Sequence, residues 1–139
     1  MTCLVDTNVV SELRKRRPDP AVASWRESIG ADDLYLSVLV LGEIRQGVER
    51  LRRRDRAQAA GLERWLGTLK QEFQDRILPV TTEVAEAWGR LAVPDPLPVV
   101  DGILAATALV HGLTLVTRQT GRLERTGIPL LNPWVVSPG

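Results

Sequence analysis

Apolar positions follow two periods along the chain. Short continuous runs, Cys3 to Val5, Leu34 to Leu36, Ile77 to Val80, Leu113 to Val116 and Ile128 to Leu131, have the length of buried strands. Between them apolar residues recur every three or four positions, the period of a helix face. The first such stripe, Val9, Val10 and Leu13, predicts a helix from Thr7 to Arg14. After Arg17-Pro18, Asp19 is placed to cap a second helix that has Pro20 at its first position, with Val22, Trp25 and Ile29 inward. Ser37 precedes a long stripe of Val40, Ile44, Val48 and Leu51, a helix from Val38 to Arg53. Ala59, Leu62, Leu66 and Leu69 mark another from Arg56 to Phe73. These two read as an αα-hairpin with a polar turn near Asp55. Thr81 or Thr82 caps a helix ending near Leu91, and three alternating prolines then enforce a loop from Val93 to Pro98.

The next segment, Val99 to His111, is apolar on nearly every side, so it is expected to be buried on nearly every side. Gly112 ends it. Strands alternating with helices predict an α/β fold, a three-layer α/β/α sandwich on a parallel sheet of four or five strands. With 139 residues, one domain over 1–139 is expected. Its composition, 44% hydrophobic and 25% charged, is ordinary for a soluble protein. No apolar run reaches the roughly 20 residues that span a bilayer, and no signal-peptide pattern is present, so no membrane association is expected. The single cysteine, Cys3, fits a reducing cytoplasm and excludes an internal disulfide; without a Cys/His cluster no zinc site is expected.

Net charge is only +1, yet sixteen of the eighteen basic residues are arginine. They cluster at Arg14 to Arg17 around Lys15, at Arg50 to Arg54, and at Arg118, Arg122 and Arg125. Arginine favours forked contacts to phosphate, although solvated helix faces give the same runs.

Three carboxylates contradict their surroundings. Asp6 ends a buried strand, at the sheet edge where ligands bind in open α/β folds; the same position suits an N-cap. Glu43 lies beside the Val40, Ile44, Val48 stripe, with Gly47 leaving space one turn below. Asp101 opens the most apolar helix, where the helix dipole also favours an acid. Carboxylates gathered in one cleft repel and need a cation, and oxygen donors without Cys or His select Mg²⁺ or Mn²⁺. Such an ion activates a water and neutralises charge on a phosphoryl oxygen. The lone histidine, His111, leaves no Ser-His-Asp set, and no glycine-rich loop precedes a lysine in P-loop fashion.

Several segments carry a resemblance. Leu4 to Glu12, Leu36-Ser37 with Leu41 to Gly47, Asp101 to Ala108, Leu115 to Arg118 and Leu131 to Trp134 together resemble PIN-domain toxins of the VapC type, closest to the FitB-like branch. The resemblance runs nearly the whole chain, in order and at matching spacing. It implies the toxin of a type II toxin–antitoxin system: a Mg²⁺- or Mn²⁺-dependent endoribonuclease acting on tRNA or rRNA and neutralised by a VapB-type antitoxin. It also implies a homodimer, and a heterotetramer or larger assembly with antitoxin. Asp6, Glu43 and Asp101 match the family's three core acids. Asp6 and Asp101 are expected to bind the metal directly and Glu43 through a water. Thr7, Asn8, Ser11, Thr117 and Gln119 are expected to support them, and Arg14, Arg16, Arg17 and Arg118 to grip RNA phosphates. The long hairpin, with apolar residues around Trp65 and Leu69, is the expected pairing surface.

The chain departs from the family at one point. A fourth acid usually follows the Thr-Arg pair directly or a few residues later, but Gln119 and Arg122 stand at those places. The alternative function is therefore a catalytically weak RNA- or antitoxin-binding module. A small-molecule phosphatase is a third.

Overall fold

The computed structural model describes residues 1–135. Five short strands form one parallel sheet: β1 (Cys3–Val5), β2 (Leu34–Ser37), β3 (Ile77–Leu78), β4 (Thr114–Val116) and β5 (Leu130–Leu131). Their order is β3-β2-β1-β4-β5, so the most apolar strand lies in the middle. Cys3 and Leu4 are fully buried there, as a strand covered on both faces requires. Leu4 pairs with Tyr35 on one side and Leu115 on the other.

The chain first moves outward from β1 to β2 and β3, then crosses to β4 and continues to β5. Right-handed crossovers running in opposite directions lie on opposite faces of a sheet. Helices α1 (Thr7–Arg14), α2 (Pro20–Ser28), α3 (Val38–Arg52) and α4 (Arg56–Glu72) belong to the outward path. Helices α5 (Thr82–Leu91), α6 (Val99–His111) and the single turn α7 (Thr120–Leu123) belong to the return. The result is the expected three-layer α/β/α architecture. The carboxyl ends of β1 and β4, adjacent strands whose connections depart in opposite directions, form the crevice where such folds bind ligands.

Local chemistry explains the helix starts. Ser37 Oγ accepts from Leu39 N at 3.1 Å, Asp19 Oδ1 from Ala21 N at 2.8 Å and Thr81 Oγ1 from Val84 N at 3.1 Å. Asp55 caps α4 through Gln58 N at 3.0 Å, which closes the α3–α4 hairpin. Gly112, at φ 66°, ends α6 in the left-handed conformation that glycine takes without strain. No described helix is long and apolar enough to cross a membrane.

Four expectations need correction. The outer strands β3 and β5 are two-residue pairings rather than four, because edge position and flanking prolines shorten the ladder. The space beside Gly47 is taken by Leu62 of α4, whose Cδ2 would lie 3.6 Å from a Cβ on that glycine, so Gly47 serves hairpin packing. Helix α6 is buried along Leu104 to Ala108, but Val99 and Leu109 are exposed. On α4, Leu66 and Leu69 are buried in the chain's own core and Trp65 packs against it, so the hairpin does not offer the spare apolar face expected of it.

Candidate active site

The two central strands end in polar residues that meet directly. Asp6 follows β1 and Thr117 follows β4, and β1–β4 pairing holds them side by side. Asp6 is 7% exposed and Thr117 fully buried. Thr117 Oγ1 donates to Asp6 Oδ2 at 2.7 Å, while Thr7 N donates to Asp6 Oδ1 at 2.7 Å. Asp6 therefore caps α1 from the carboxyl end of β1.

Thr7 joins the second acid to the first. Its hydroxyl donates to Glu43 Oε1 at 2.5 Å, bridging α1 and α3. The third acid, Asp101, stands in the first turn of α6 with its side chain 16% exposed. The field links all three. Burial pushes the Asp6 carboxyl above its usual range; the Thr117 and Thr7 hydrogen bonds oppose this, and the negative charges of Asp101 and Glu43 add to it.

Each acid has a partner of its own, and Asp101 has an arginine. Arg122 Nη1 lies 3.3 Å from Asp101 Oδ2, and Arg122 Nη2 donates to Gln119 Oε1 at 2.6 Å. Gln119 N donates to Thr117 Oγ1 at 3.1 Å, so the loop after β4 is tied back to Asp6 through Thr117. No set of three or more His, Cys, Asp or Glu side chains is close enough to form a ready cage among the described residues. Asp6 and Glu43 instead accept from hydroxyls and an amide, and Asp101 pairs with a guanidinium. The donors still suit a hard ion: all are oxygens, and Mg²⁺ takes only one or two carboxylates with waters completing its octahedron. Asn8 Oδ1, one residue past Thr7, is buried without a hydrogen-bond partner, an acceptor available to a water.

The remaining expected residues divide. Ser11, one turn along α1 from Thr7, is exposed. Arg118 adjoins Thr117, its guanidinium 4.5 Å from the Trp134 ring centroid. Arg14, Arg16 and Arg17 lie at the far end of α1, all three exposed, roughly 10 Å or more along its axis from Thr7. Arg14 lies over the Trp65 ring at 5.3 Å.

Glu12 escaped sequence reasoning, and Arg122 was legible only as the residue at a fourth-acid place, not as a partner of Asp101. Glu12 is buried and accepts from Lys15 Nζ at 2.9 Å and Asp19 N at 3.0 Å, locking α1 to the start of α2. Arg122 reaches the acids because residues 120–123 coil into α7; the four-residue turn is too short for any periodic signal. Asn132 stands in the Leu131 to Trp134 segment that carries the family resemblance. Its Oδ1 accepts from Trp134 N at 3.0 Å, which sets the indole under Arg118.

Comparison with known proteins agrees with this geometry. A family model described as PIN domain matches residues 3–128. The VapC ribonuclease Y4jK of Sinorhizobium fredii is 32% identical over 142 aligned positions, covering 94% of this chain and 96% of that protein. The toxin FitB of Neisseria gonorrhoeae is 33% identical over 136 positions, covering 94% and 97%. A crystal structure of FitAcB from the same organism superposes with a TM-score of 0.88 at 32% identity, over 97% of this chain and all of that one. FitAB bound to an IR36 DNA fragment gives 0.87 at 30%. With the family model matching most of its length and relatives above 30% identity along nearly all of it, the chain belongs to the PIN-domain family.

Proposed function

We propose that the chain, read as one PIN domain over 1–139, is the toxin of a type II toxin–antitoxin pair and a Mg²⁺- or Mn²⁺-dependent endoribonuclease acting on tRNA or rRNA. The observation that carries this is the pairing of Asp6 and Glu43 with Thr117 and Thr7 at the carboxyl ends of β1 and β4, with Asp101 opening α6 and its negative charge acting on Asp6. Asp6 and Asp101 would hold the ion, with Glu43 reaching it through a water. When bound, the ion lowers the pKa of a water and neutralises charge on the phosphoryl oxygen. Thr117 and Thr7 N fix both oxygens of Asp6 against its own repulsion. Thr7 fixes one oxygen of Glu43 and leaves the other to accept a proton from the attacking water. Arg118, braced on Trp134, would hold the RNA backbone beside the acids, and Arg14, Arg16 and Arg17 the phosphates further along.

Solved neighbours with TM-scores of 0.87 and 0.88 are toxin–antitoxin complexes, which supports a VapB-type antitoxin as partner. A groove of about 470 Å³, lined by Leu13, Trp25, Trp65 and Phe73 with Arg14 and Arg76, is the apolar surface suited to an antitoxin segment. A homodimer is part of the same proposal. A monomer mass by light scattering at micromolar concentration would refute pairing.

Incubating the purified protein with tRNA and rRNA in Mn²⁺ or Mg²⁺ tests the activity. Cleavage that stops with EDTA is expected; cleavage that persists in excess EDTA overturns the metal mechanism. One observation favours the second reading, a catalytically weak binding module: Gln119 and Arg122 replace a fourth carboxylate with an amide and a cation at the site. RNA left intact in Mn²⁺, with the ion bound, would establish that reading instead.

A further inference from the structure

Arg122 is the guanidinium that contacts an acid of the site, Asp101. Neither neighbouring arginine has a side-chain contact to an acid of the site: Arg118 lies over Trp134, and Arg125 donates to the Asp95 carbonyl. Arg122 grips firmly on one side, to Gln119 at 2.6 Å, and loosely on the other, to Asp101 at 3.3 Å. Its side chain is 49% exposed. A guanidinium has five N–H donors in a rigid fork, and these two contacts leave most of the fork available. Charge arithmetic points the same way. Three carboxylates less one guanidinium leave two negative charges, which a single divalent cation balances. A fourth carboxylate at position 119 and a neutral residue at 122 would double that deficit and call for two ions.

We propose that Arg122 is the site's resident cation: it stands where a second metal ion would otherwise be needed, limits the acids to one divalent ion, and turns its free donors to the RNA phosphate at the cleavage point. Gln119 is its positioning residue. The amide oxygen holds one end of the fork without the charge that would trap it, and Gln119 N is anchored to Thr117, the same hydroxyl that fixes Asp6. The fork then leaves Asp101 for phosphate with only a weak, half-exposed ion pair to break. Forked arginine–phosphate contacts are short and charge-assisted, and they neutralise the oxygens on which negative charge builds. The proposal deepens the ribonuclease reading and rests on it.

The test separates ion binding from cleavage. Mn²⁺ is titrated into wild type, Arg122→Gln and Arg122→Lys without RNA, with free Mn²⁺ followed by electron paramagnetic resonance. Wild type is expected to take one ion per chain. Arg122→Gln should bind Mn²⁺ about tenfold more tightly or accept a second ion, because one positive charge beside the acids is gone. Arg122→Lys should stay close to wild type. In the Glu43→Gln background, which keeps RNA intact, anisotropy of a labelled single-stranded RNA should show about tenfold weaker binding with Arg122→Gln. Lysine should restore only part of that loss, since it lacks the fork. Unchanged Mn²⁺ and RNA binding in Arg122→Gln, with wild-type cleavage intact, overturns the Arg122 assignment alone. If neither wild type nor Arg122→Gln takes up Mn²⁺ or cleaves RNA, the ribonuclease reading falls with it.

Discussion

Thr117 donates its hydroxyl to Asp6 across 2.7 Å, tying together the ends of two neighbouring strands that are 111 residues apart in the chain. The bond satisfies one oxygen of a buried carboxylate that burial already disfavours. Replacing Thr117 with valine keeps the shape and removes the donor. A buried charged acceptor left unpaired costs about 1–3 kcal/mol. Thr117→Val should therefore lose about that much stability in urea unfolding, and RNA cleavage should fall with it. Thr117→Ser should recover both. Equal stability of the valine variant would mean that water replaces the hydroxyl.

The three acids should behave differently from ordinary structural carboxylates. Asp6→Asn, Glu43→Gln and Asp101→Asn should each abolish RNA cleavage with the melting temperature level or higher, because each removes one of several neighbouring negative charges. Asp101→Asn gives up an ion pair to a half-exposed arginine, a loss of roughly 0–1 kcal/mol. For Asp6 the pH dependence has a definite sign. Its folded-state pKa is raised above 3.8, so the protonated form is favoured on folding. Stability contributed by that form is present in acid and lost as pH rises through the folded value. The advantage of Asp6→Asn over wild type should be absent in strong acid and grow towards neutral pH. Thermal melts of both proteins across that range check it. An unfolded Asp101→Asn would instead make the α6 dipole its main role.

The sequence made some of this legible for physical reasons. Cys3 to Val5 is too short and too apolar for anything but a buried strand, and Asp6 breaks it where a carboxylate caps α1. Ser37, Asp19 and Gly112 sit at helix ends because their side chains, or lack of one, satisfy the backbone there. What stayed hidden depends on direction rather than type. Arg122 reads as a basic residue at a fourth-acid place, and only the turn of α7 shows that it pairs with Asp101. Trp65 reads as surplus on a long helix, yet it packs on the core beneath Arg14. Such directions depend on packing between elements, which no periodicity records.

Gly102, next to Asp101, is fixed by a neighbour. A Cβ there would stand 2.9 Å from Trp88 Cδ1 and 3.0 Å from Trp88 Nε1, closer than atoms sit. Helix α5 therefore approaches α6 through this glycine. Gly102→Ala should force the indole aside or part the helices, costing about 1–3 kcal/mol as overpacked substitutions do. Because Asp101 shares that turn, Mn²⁺ binding should weaken as well. Pairing the change with Trp88→Leu should return much of the stability, since the clash is with the ring. Full stability of Gly102→Ala alone would show that the indole has room to move.

The last prediction concerns Glu12, buried on α1 away from the three acids. Lys15 Nζ and the Asp19 amide both donate to it, and these bonds, with the positive charges of Lys15 and Arg118, hold its carboxyl below the usual 4.5. A folded pKa below the unfolded one means that the charged form is favoured on folding. Its stabilisation is complete above about pH 4.5, the unfolded value, and disappears as pH falls through the lower folded value. Glu12→Gln keeps the size but gives up the charge, and with it the link between α1 and the cap of α2. Glu12→Gln should melt below wild type at neutral pH, and the two curves should converge in acid. Its effect on cleavage should be smaller than that of any of the three acids, because Glu12 acts through the placing of α1 and so of Thr7. Parallel melting curves that keep a constant gap down to strong acid would show that shape, not charge, is what Glu12 contributes.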